Sequence, residues 1–125
     1  MTKAIRIYET GGPEVLRWEE DNPGKPGAGE ALVRHEAVGL NFIDVYHRTG
    51  LYPLPALPAV PGLEGAGIVE EIGEGVSEVA VGDRVAYAAI PPGAYAEVRR
   101  IPAHRLIKLP ENIPTSQGAA MMLQG

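Results

Sequence analysis

PGLEGAGIVEEIGEG occupies residues 61–75, and the spacing of its glycines indicates whether it is a nucleotide-binding turn or a strand. A dinucleotide fingerprint has the spacing G-x-G-x-x-G and opens a helix after a strand. Here the spacing is G-x-x-G-x-G, and the glycines open the segment GAGIVEEI at residues 65–72. We therefore reject a phosphate-binding turn at this position. The pattern predicts a largely buried strand over residues 65–72, followed by a tight turn at residues 73–75.

Further short strands are predicted on both sides of this one, because apolar and polar residues alternate between turn signals. Several short strands at this spacing favour a β-barrel or sandwich over a βαβ sheet. The four prolines at 53, 55, 58 and 61 predict an extended surface loop over residues 51–61. A cap at residues 114–117 predicts a helix over residues 118–123. The other predicted strands are residues 3–8, 15–19, 31–37, 85–89, 95–99 and 105–109.

Composition excludes several classes of function. A chain of 125 residues with 45% hydrophobic and 22% charged residues is long enough for one domain with a core. A net charge of −5 provides no basic face for nucleic acid or anionic lipid. The chain has no cysteine, so disulfides and thiolate metal sites are excluded. Without a signal peptide or an apolar run of about 20 residues, we expect a cytoplasmic protein with no membrane partner.

Residues 41–50 predict a short helix whose polar residues all have a structural explanation. Asn41 is a good N-cap, and Asp44 stands three residues later, where a carboxylate favours the free helical amides. Asp44 and Arg48 are four residues apart, so they could pair across one turn. Gly50 is a natural helix terminator. The structural reading and a functional reading of this helix are therefore both open.

The functional reading rests on a resemblance carried by Asn41, Phe42, Ile43, Asp44 and Tyr46 together with the glycine pattern at residues 62–67. The chain resembles the zinc-free quinone oxidoreductases, the zeta-crystallin-like branch of the medium-chain dehydrogenase/reductase superfamily. The resemblance implies a mainly β fold with short helices, the GroES-like partly open barrel. It also implies that residues 1–125 are the catalytic domain and that the Rossmann nucleotide-binding domain is absent from this chain.

The same resemblance predicts a site without zinc. In zinc-dependent members of the superfamily, the position matching Asn41 is a cysteine ligand, and a histidine ligand stands where this chain has Leu63. Both ligands are replaced here, and neither an amide nor a leucine can substitute for thiolate or imidazole on zinc. Glu64, which follows directly, is predicted to form a structural ion pair, with cofactor contact as the alternative.

By resemblance, the complete enzyme reduces quinones or conjugated enones with NADPH. Asn41, Phe42, Ile43, Asp44 and Tyr46 are predicted to contact the nicotinamide end of NADPH, with most other contacts coming from the missing domain. Tyr46 and Tyr52 are predicted catalytic residues that flank the flat acceptor. We expect the full-length protein to be a homodimer, and the isolated domain to be inactive and monomeric. The alternative is a GroES-like binding module of the cochaperone type, without redox chemistry.

Overall fold

Seven β-strands, one α-helix and two short 3-10 helices form the part of the chain that the computed structural model describes. That part comprises residues 2–39, 41–51, 54, 56–88, 92–114 and 117. The 3-10 helices are Pro13–Val15 and Ala103–Arg105. The remaining elements are β1 (Thr2–Arg6), β2 (Arg17–Asp21), β3 (Glu30–Gly39), α1 (Phe42–Thr49), β4 (Glu64–Ile72), β5 (Arg84–Ala88), β6 (Val98–Pro102) and β7 (Ile107–Lys108).

The strands form two antiparallel sheets. β1 and β2 make a hairpin, and the other five strands are ordered β6-β3-β4-β5-β7. β6 and β7 are the two edges, and within the described residues they do not pair with each other. The larger sheet is therefore not closed. This architecture, mainly β with one α-helix, confirms the predicted partly open barrel.

Residues 95–97 join the hairpin to the larger sheet. The Ile5 amide donates to the Tyr95 carbonyl over 2.7 Å, and the Glu97 amide donates to the Lys3 carbonyl over 2.9 Å. On the other side, the His35 amide of β3 donates to the Glu97 carbonyl over 2.8 Å. This short segment therefore satisfies backbone groups from both sheets and holds them side by side.

The core lies on one face of the larger sheet, because strand side chains alternate between its two faces. Val33 in β3, and Val85 and Tyr87 in β5, are fully buried at this spacing. Each buried valine or isoleucine stabilises the fold by about 1.5–3 kcal/mol relative to an exposed side chain. The larger buried cluster consists of Ala31, Val33, Val69, Val79, Val85, Tyr87, Ala94, Ile101, Ala103 and Leu106, and a separate cluster contains Ala66 and Ala86.

Most predicted strands are confirmed, with shifted ends. β3 and β4 contain all of the predicted residues 31–37 and 65–72. β2 begins two residues later than predicted, because Pro13–Val15 forms a 3-10 turn. The strand predicted at residues 95–99 is wrong in position, since β6 starts at Val98. The predicted helix at residues 118–123 lies outside the described residues, as do positions 52, 53 and 55 of the proline-rich loop.

No helix in the described part of the chain is both long enough and apolar enough to cross a bilayer. The one α-helix there, α1, has eight residues, whereas a spanning helix needs about 20.

Candidate functional site

The start of α1 is organised around Asn41, in the N-cap role that the sequence predicts. Its backbone is extended, with φ −134° and ψ 156°, and its N–H donates to Asp44 Oδ2 over 3.1 Å. The Asp44 amide in turn donates to the Asn41 carbonyl over 3.0 Å. At the other end, Gly50 has φ 90°, a left-handed conformation that glycine adopts without strain. The predicted cap and terminator are both confirmed.

Asp44 is buried beneath this helix start, with only 4% of its surface exposed. The Tyr95 hydroxyl donates to Asp44 Oδ2 over 2.7 Å, which ties α1 to the segment that joins the two sheets. Burial, together with this bond to the carboxylate, raises the pKa of Tyr95. Asp44 Oδ1 is also buried, and no described group donates a hydrogen bond to it.

The predicted pair between Asp44 and Arg48 is not formed. Arg48 Nη1 is buried without a hydrogen-bond partner among the described residues, and the two side chains form no ion pair within 4 Å. The physical reason is that Asp44 points back toward the Asn41 amide and Tyr95 instead of along the helix. The hydrogen bond that caps the helix start is therefore formed in preference to an ion pair across one turn. Such a pair stabilises a helix by only about 0.2–0.5 kcal/mol.

Glu64 holds the side chain of Asn41. It is the first residue of β4, lies opposite Gly39 of β3 and is only 2% exposed. Asn41 Nδ2 donates to Glu64 Oε1 over 3.1 Å. This contact is with an amide and not with a cation, and the ion pair predicted for Glu64 stays a prediction.

The predicted site residues of α1 fall into two groups. Phe42 is 81% exposed, while Ile43 and Tyr46 are half-buried. Asn41 is also half-buried, whereas Asp44 is buried. The structure thus brings an amide and an exposed aromatic ring together at the start of α1. Tyr52, the other predicted catalytic residue, lies outside the described residues.

This arrangement fits the nicotinamide end of a dinucleotide. Such a ligand has a flat ring and several N–H and O–H donors, from its carboxamide and its ribose. Phe42 provides exposed apolar surface, and Asp44 Oδ1 is a buried acceptor that no described group uses. No group of three or more histidine, aspartate or glutamate side chains that could hold a metal ion occurs among the described residues.

A second polar cluster lies inside the barrel, near the joining segment. His35 Nε2 is 2.6 Å from the Tyr87 hydroxyl, and His35 Nδ1 is 2.7 Å from the Ala96 carbonyl. A carbonyl only accepts, so Nδ1 carries the proton and Nε2 accepts from Tyr87. Arg99 Nη1 donates to the same hydroxyl over 3.4 Å. Burial lowers the pKa of His35 to about 4, and the positive charge of Arg99 also lowers it.

A cavity of about 420 Å³ adjoins the site between the hairpin and β3. Its lining is mainly apolar and includes Ile5, Trp18, His35, Val38 and Tyr95. Tyr95 therefore borders this cavity while its hydroxyl holds Asp44. The cavity is open to solvent on one side and has room for a small organic molecule.

Comparison with known protein families shows to which family this chain belongs. The family model of the alcohol dehydrogenase GroES-like domain matches residues 27–111, which is more than half of the chain. The chain belongs to this GroES-like domain family. The match includes β3, α1 and β4, so both Asn41 and Glu64 lie inside it. It confirms the fold that the sequence resemblance implied.

Several relatives of the chain are named as oxidoreductases or reductases. The chain is 50% identical to the quinone oxidoreductase of Pseudomonas aeruginosa over 125 residues, and 42% identical to the 2-haloacrylate reductase of a Burkholderia species over 131 residues. These matches cover all of the chain but only 38% and 39% of the relatives. A crystal structure of Escherichia coli quinone oxidoreductase complexed with NADPH is 45% identical with a TM-score of 0.94, over 97% of this chain and 37% of that one.

Sequence reasoning did not find two residues of the site. Tyr95 stands in a predicted strand, 51 positions from Asp44, and no local pattern links the two. Glu64 was noticed, but its partner is 23 positions away across a sheet register that the sequence does not specify. The glycine at 39, opposite Glu64, is the one visible signal that a large side chain there needs room.

Proposed function

We propose that this GroES-like domain is the catalytic part of an NADPH-dependent reductase of quinones or conjugated enones. A Rossmann domain elsewhere in the full-length protein would bind the phosphates and the adenosine. The observation that carries the proposal is the Asn41 amide, held by Glu64 beside the exposed ring of Phe42. Support also comes from the relatives named quinone oxidoreductases and from the solved relative complexed with NADPH.

Each residue at the start of α1 has a proposed role in binding the nicotinamide end. Asn41 provides a polar anchor for a carboxamide or a ribose hydroxyl. Phe42 and Ile43 provide apolar surface that keeps water away from the ring. Asp44 orders the helix start, and its buried Oδ1 offers one further acceptor. When bound, NADPH would supply the hydride.

The acceptor is proposed to be electron-poor before it binds. Asn41 and Leu63 stand where zinc-dependent members of the superfamily have metal ligands, so we propose that no bound metal polarises a carbonyl in this protein. Quinones and conjugated enones are already electron-poor, which suits such a site. Tyr46 and Tyr52 are proposed to flank the flat acceptor with their rings.

The test is turnover by the full-length protein. We expect NADPH oxidation that depends on a small quinone such as 1,4-benzoquinone. Asn41→Ala should lower kcat/KM about tenfold, since it removes a polar contact to the cofactor. Tyr8→Phe, a change at an exposed tyrosine of the hairpin end, is the matched control and should leave kcat/KM unchanged. Unaltered kinetics in Asn41→Ala, or no turnover at all in the unchanged protein, would contradict the proposal.

A second acceptor class is favoured by the relative named 2-haloacrylate reductase. Its named substrate is a conjugated acid, whose activated double bond resembles that of an enone. Comparing kcat/KM for 1,4-benzoquinone, 2-cyclohexen-1-one and 2-chloroacrylate would separate these classes. We expect kcat/KM to be highest for the quinone. A higher kcat/KM for 2-chloroacrylate would instead indicate that conjugated acids are the preferred acceptors.

A further inference from the structure

We propose that Tyr95 is a positioning residue of the nicotinamide-binding site and that it acts through Asp44. The Tyr95 hydroxyl ties the start of α1 to the segment that joins the two sheets. This contact fixes the surface on which the nicotinamide end lies, so Tyr95 affects cofactor binding without touching the cofactor. The inference rests on the proposed function, because it concerns the same site.

The start of α1 is ordered internally by a capping box. The Asn41 side chain accepts from the Asp44 amide, and the Asp44 side chain accepts from the Asn41 amide. Both bonds lie within one turn, so they define the shape of the helix start but not its place against the sheets. That place depends on contacts that leave the helix. Tyr95 makes one of them, to Asp44 Oδ2 over 2.7 Å, and Glu64 makes another, to Asn41 Nδ2 over 3.1 Å.

The backbone of Tyr95 is anchored on both sides. Its N–H donates to the Pro61 carbonyl over 3.0 Å, and its carbonyl accepts from the Ile5 amide over 2.7 Å. Pro61 lies just before β4, and Ile5 lies in β1, so these two bonds connect Tyr95 to elements of both sheets. A tyrosine held in this way is a fixed point to which the start of α1 can be attached.

The ring of Tyr95 packs closely against Gly62. A Cβ added at Gly62 would lie 2.6 Å from Tyr95 Cδ1, which is well inside the normal separation of nonbonded carbon atoms. Gly62 also has φ 103°, a conformation that glycine adopts without strain. On its other contacts the ring packs against the buried core cluster. The backbone at Gly62 and the core therefore restrict the ring, and the ring holds its hydroxyl at Asp44.

The Tyr95 hydroxyl is a stable donor in this contact. Burial, together with the bond to Asp44, raises the pKa of Tyr95, so the hydroxyl keeps its proton at neutral pH. Asp44 is buried, so water competes little for the same oxygen. A hydrogen bond to a carboxylate is also stronger than one between neutral groups. Removing this hydroxyl should therefore loosen the start of α1.

The first experiment measures the affinity of the full-length protein for NADPH by the fluorescence of the bound cofactor. Tyr95→Phe keeps the ring against Gly62 but removes the hydroxyl. It should weaken NADPH binding about fivefold, because the contact between Asn41 and Glu64 retains part of the geometry. Affinity for adenosine 2′,5′-bisphosphate, which has no nicotinamide, should not change. Tyr8→Phe, the same substitution at an exposed position, is the matched control and should bind NADPH normally.

Ile101→Val controls for a general loss of stability. Ile101 is fully buried in β6 and pairs with Ala31 near the start of β3, whereas α1 follows the other end of β3. This variant should lower the free energy of unfolding and leave NADPH affinity unchanged. Equal weakening of NADPH binding in Tyr95→Phe and Ile101→Val would overturn the inference. Unchanged affinity in Tyr95→Phe would also overturn it.

A second readout needs no cofactor. Hydrogen exchange of the Asn41 and Asp44 backbone amides reports opening of the capping box, since both amides donate within it. In the full-length protein, both should exchange about tenfold faster in Tyr95→Phe. Tyr8→Phe and Ile101→Val should leave these two rates unchanged, because a helix start opens locally. Unchanged rates in Tyr95→Phe would show that its hydroxyl does not hold the start of α1.

NADPH binding by the unchanged protein separates failure of the proposed function from failure of this inference. A full-length protein that does not bind NADPH contradicts the proposed function, while hydrogen exchange still decides whether Tyr95 holds α1. If the unchanged protein binds NADPH and Tyr95→Phe speeds exchange without weakening binding, the start of α1 does not determine nicotinamide binding. That result would overturn the positioning role of Tyr95.

Discussion

One carboxylate oxygen of Asp44 accepts two hydrogen bonds that have different structural roles. Its Oδ2 accepts from the Asn41 amide, which begins α1, and from the Tyr95 hydroxyl, which belongs to the segment joining the sheets. A helix cap and a tertiary contact therefore share one carboxylate. Because the carboxylate is buried, losing either donor would leave it with fewer partners than a buried charge needs.

Tyr95→Phe tests this arrangement at the level of one atom. Removing the hydroxyl should lower the free energy of unfolding by about 2 kcal/mol, since a buried carboxylate loses a donor. The measurement is urea unfolding at neutral pH. Tyr8→Phe is the matched control: its hydroxyl also donates to a carboxylate, Glu19, but at an exposed position, so its removal should cost far less stability than removal of the Tyr95 hydroxyl. Equal losses in the two variants would contradict the buried role of Tyr95.

The sequence predicted the residues of this site that act on near neighbours, but not those whose partners are far along the chain. Asn41 and Gly50 were predicted correctly as the ends of α1, because capping depends on residues three or four positions apart. Glu64 and Tyr95 act across 23 and 51 positions, so their partners depend on sheet register and on the path of a loop. Local patterns specify neither. The cofactor contacts predicted for α1 stay predictions.

At the scale of elements, the segment before β6 explains the largest error in strand position. Residues 95–97 alternate as a strand does, and they were predicted as part of one. In the structure they pair with both the hairpin and β3, forming bridges instead of one continuous ladder. The alternation was therefore a true sign of extended backbone, but it could not reveal that the partners change along the segment.

Arg84 anchors the segment that follows β7. Its guanidinium donates to the carbonyls of Pro110 and Ile113, and its own carbonyl accepts from the Leu109 amide over 2.8 Å. Arg84→Met keeps the aliphatic stem but removes the donors. We therefore expect hydrogen exchange of the backbone amides of residues 109 and 111–113 to become about tenfold faster.

Arg100→Met is the control for this element, because the exposed Arg100 guanidinium lies 3.9 Å from Glu30. It should leave exchange at residues 109 and 111–113 unchanged. Equal protection in the Arg84 variant and the unchanged protein would show that the segment is held by packing alone. The expected difference between the variants thus measures the contribution of the guanidinium itself.

At the scale of the whole molecule, the barrel contains a buried polar cluster around His35. Its hydrogen bonds are all formed only when the His35 ring is neutral. His35 donates from Nδ1 to the Ala96 carbonyl and accepts at Nε2 from Tyr87, so every ring nitrogen is used. Protonation would place a second donor against the Tyr87 hydroxyl, to which Arg99 already donates. It would also add a positive charge near Arg99. The cluster links β3, β5 and β6, so its protonation affects the whole barrel.

This cluster predicts acid sensitivity of the fold. Burial lowers the pKa of His35 from 6.5 to about 4, so the unfolded chain binds a proton more readily than the folded one between these values. The contribution of neutral His35 to stability is therefore complete above pH 6.5 and is lost as the pH falls toward 4. Its full size is about 3 kcal/mol. Urea unfolding at about pH 7.5, 5.5 and 4 should reveal the loss.

His35→Gln makes the prediction specific, because glutamine can donate to Ala96 and accept from Tyr87 but does not titrate. Other groups also titrate on the acid side, so the informative quantity is the difference between this variant and the unchanged protein. The unchanged protein should lose about 3 kcal/mol more than the variant between pH 7.5 and 4. His104→Gln, at an exposed position, should follow the unchanged protein. Parallel acid unfolding of the unchanged protein and the His35 variant would mean that the neutral ring does not hold the barrel together, and that its stability resides in the apolar core alone.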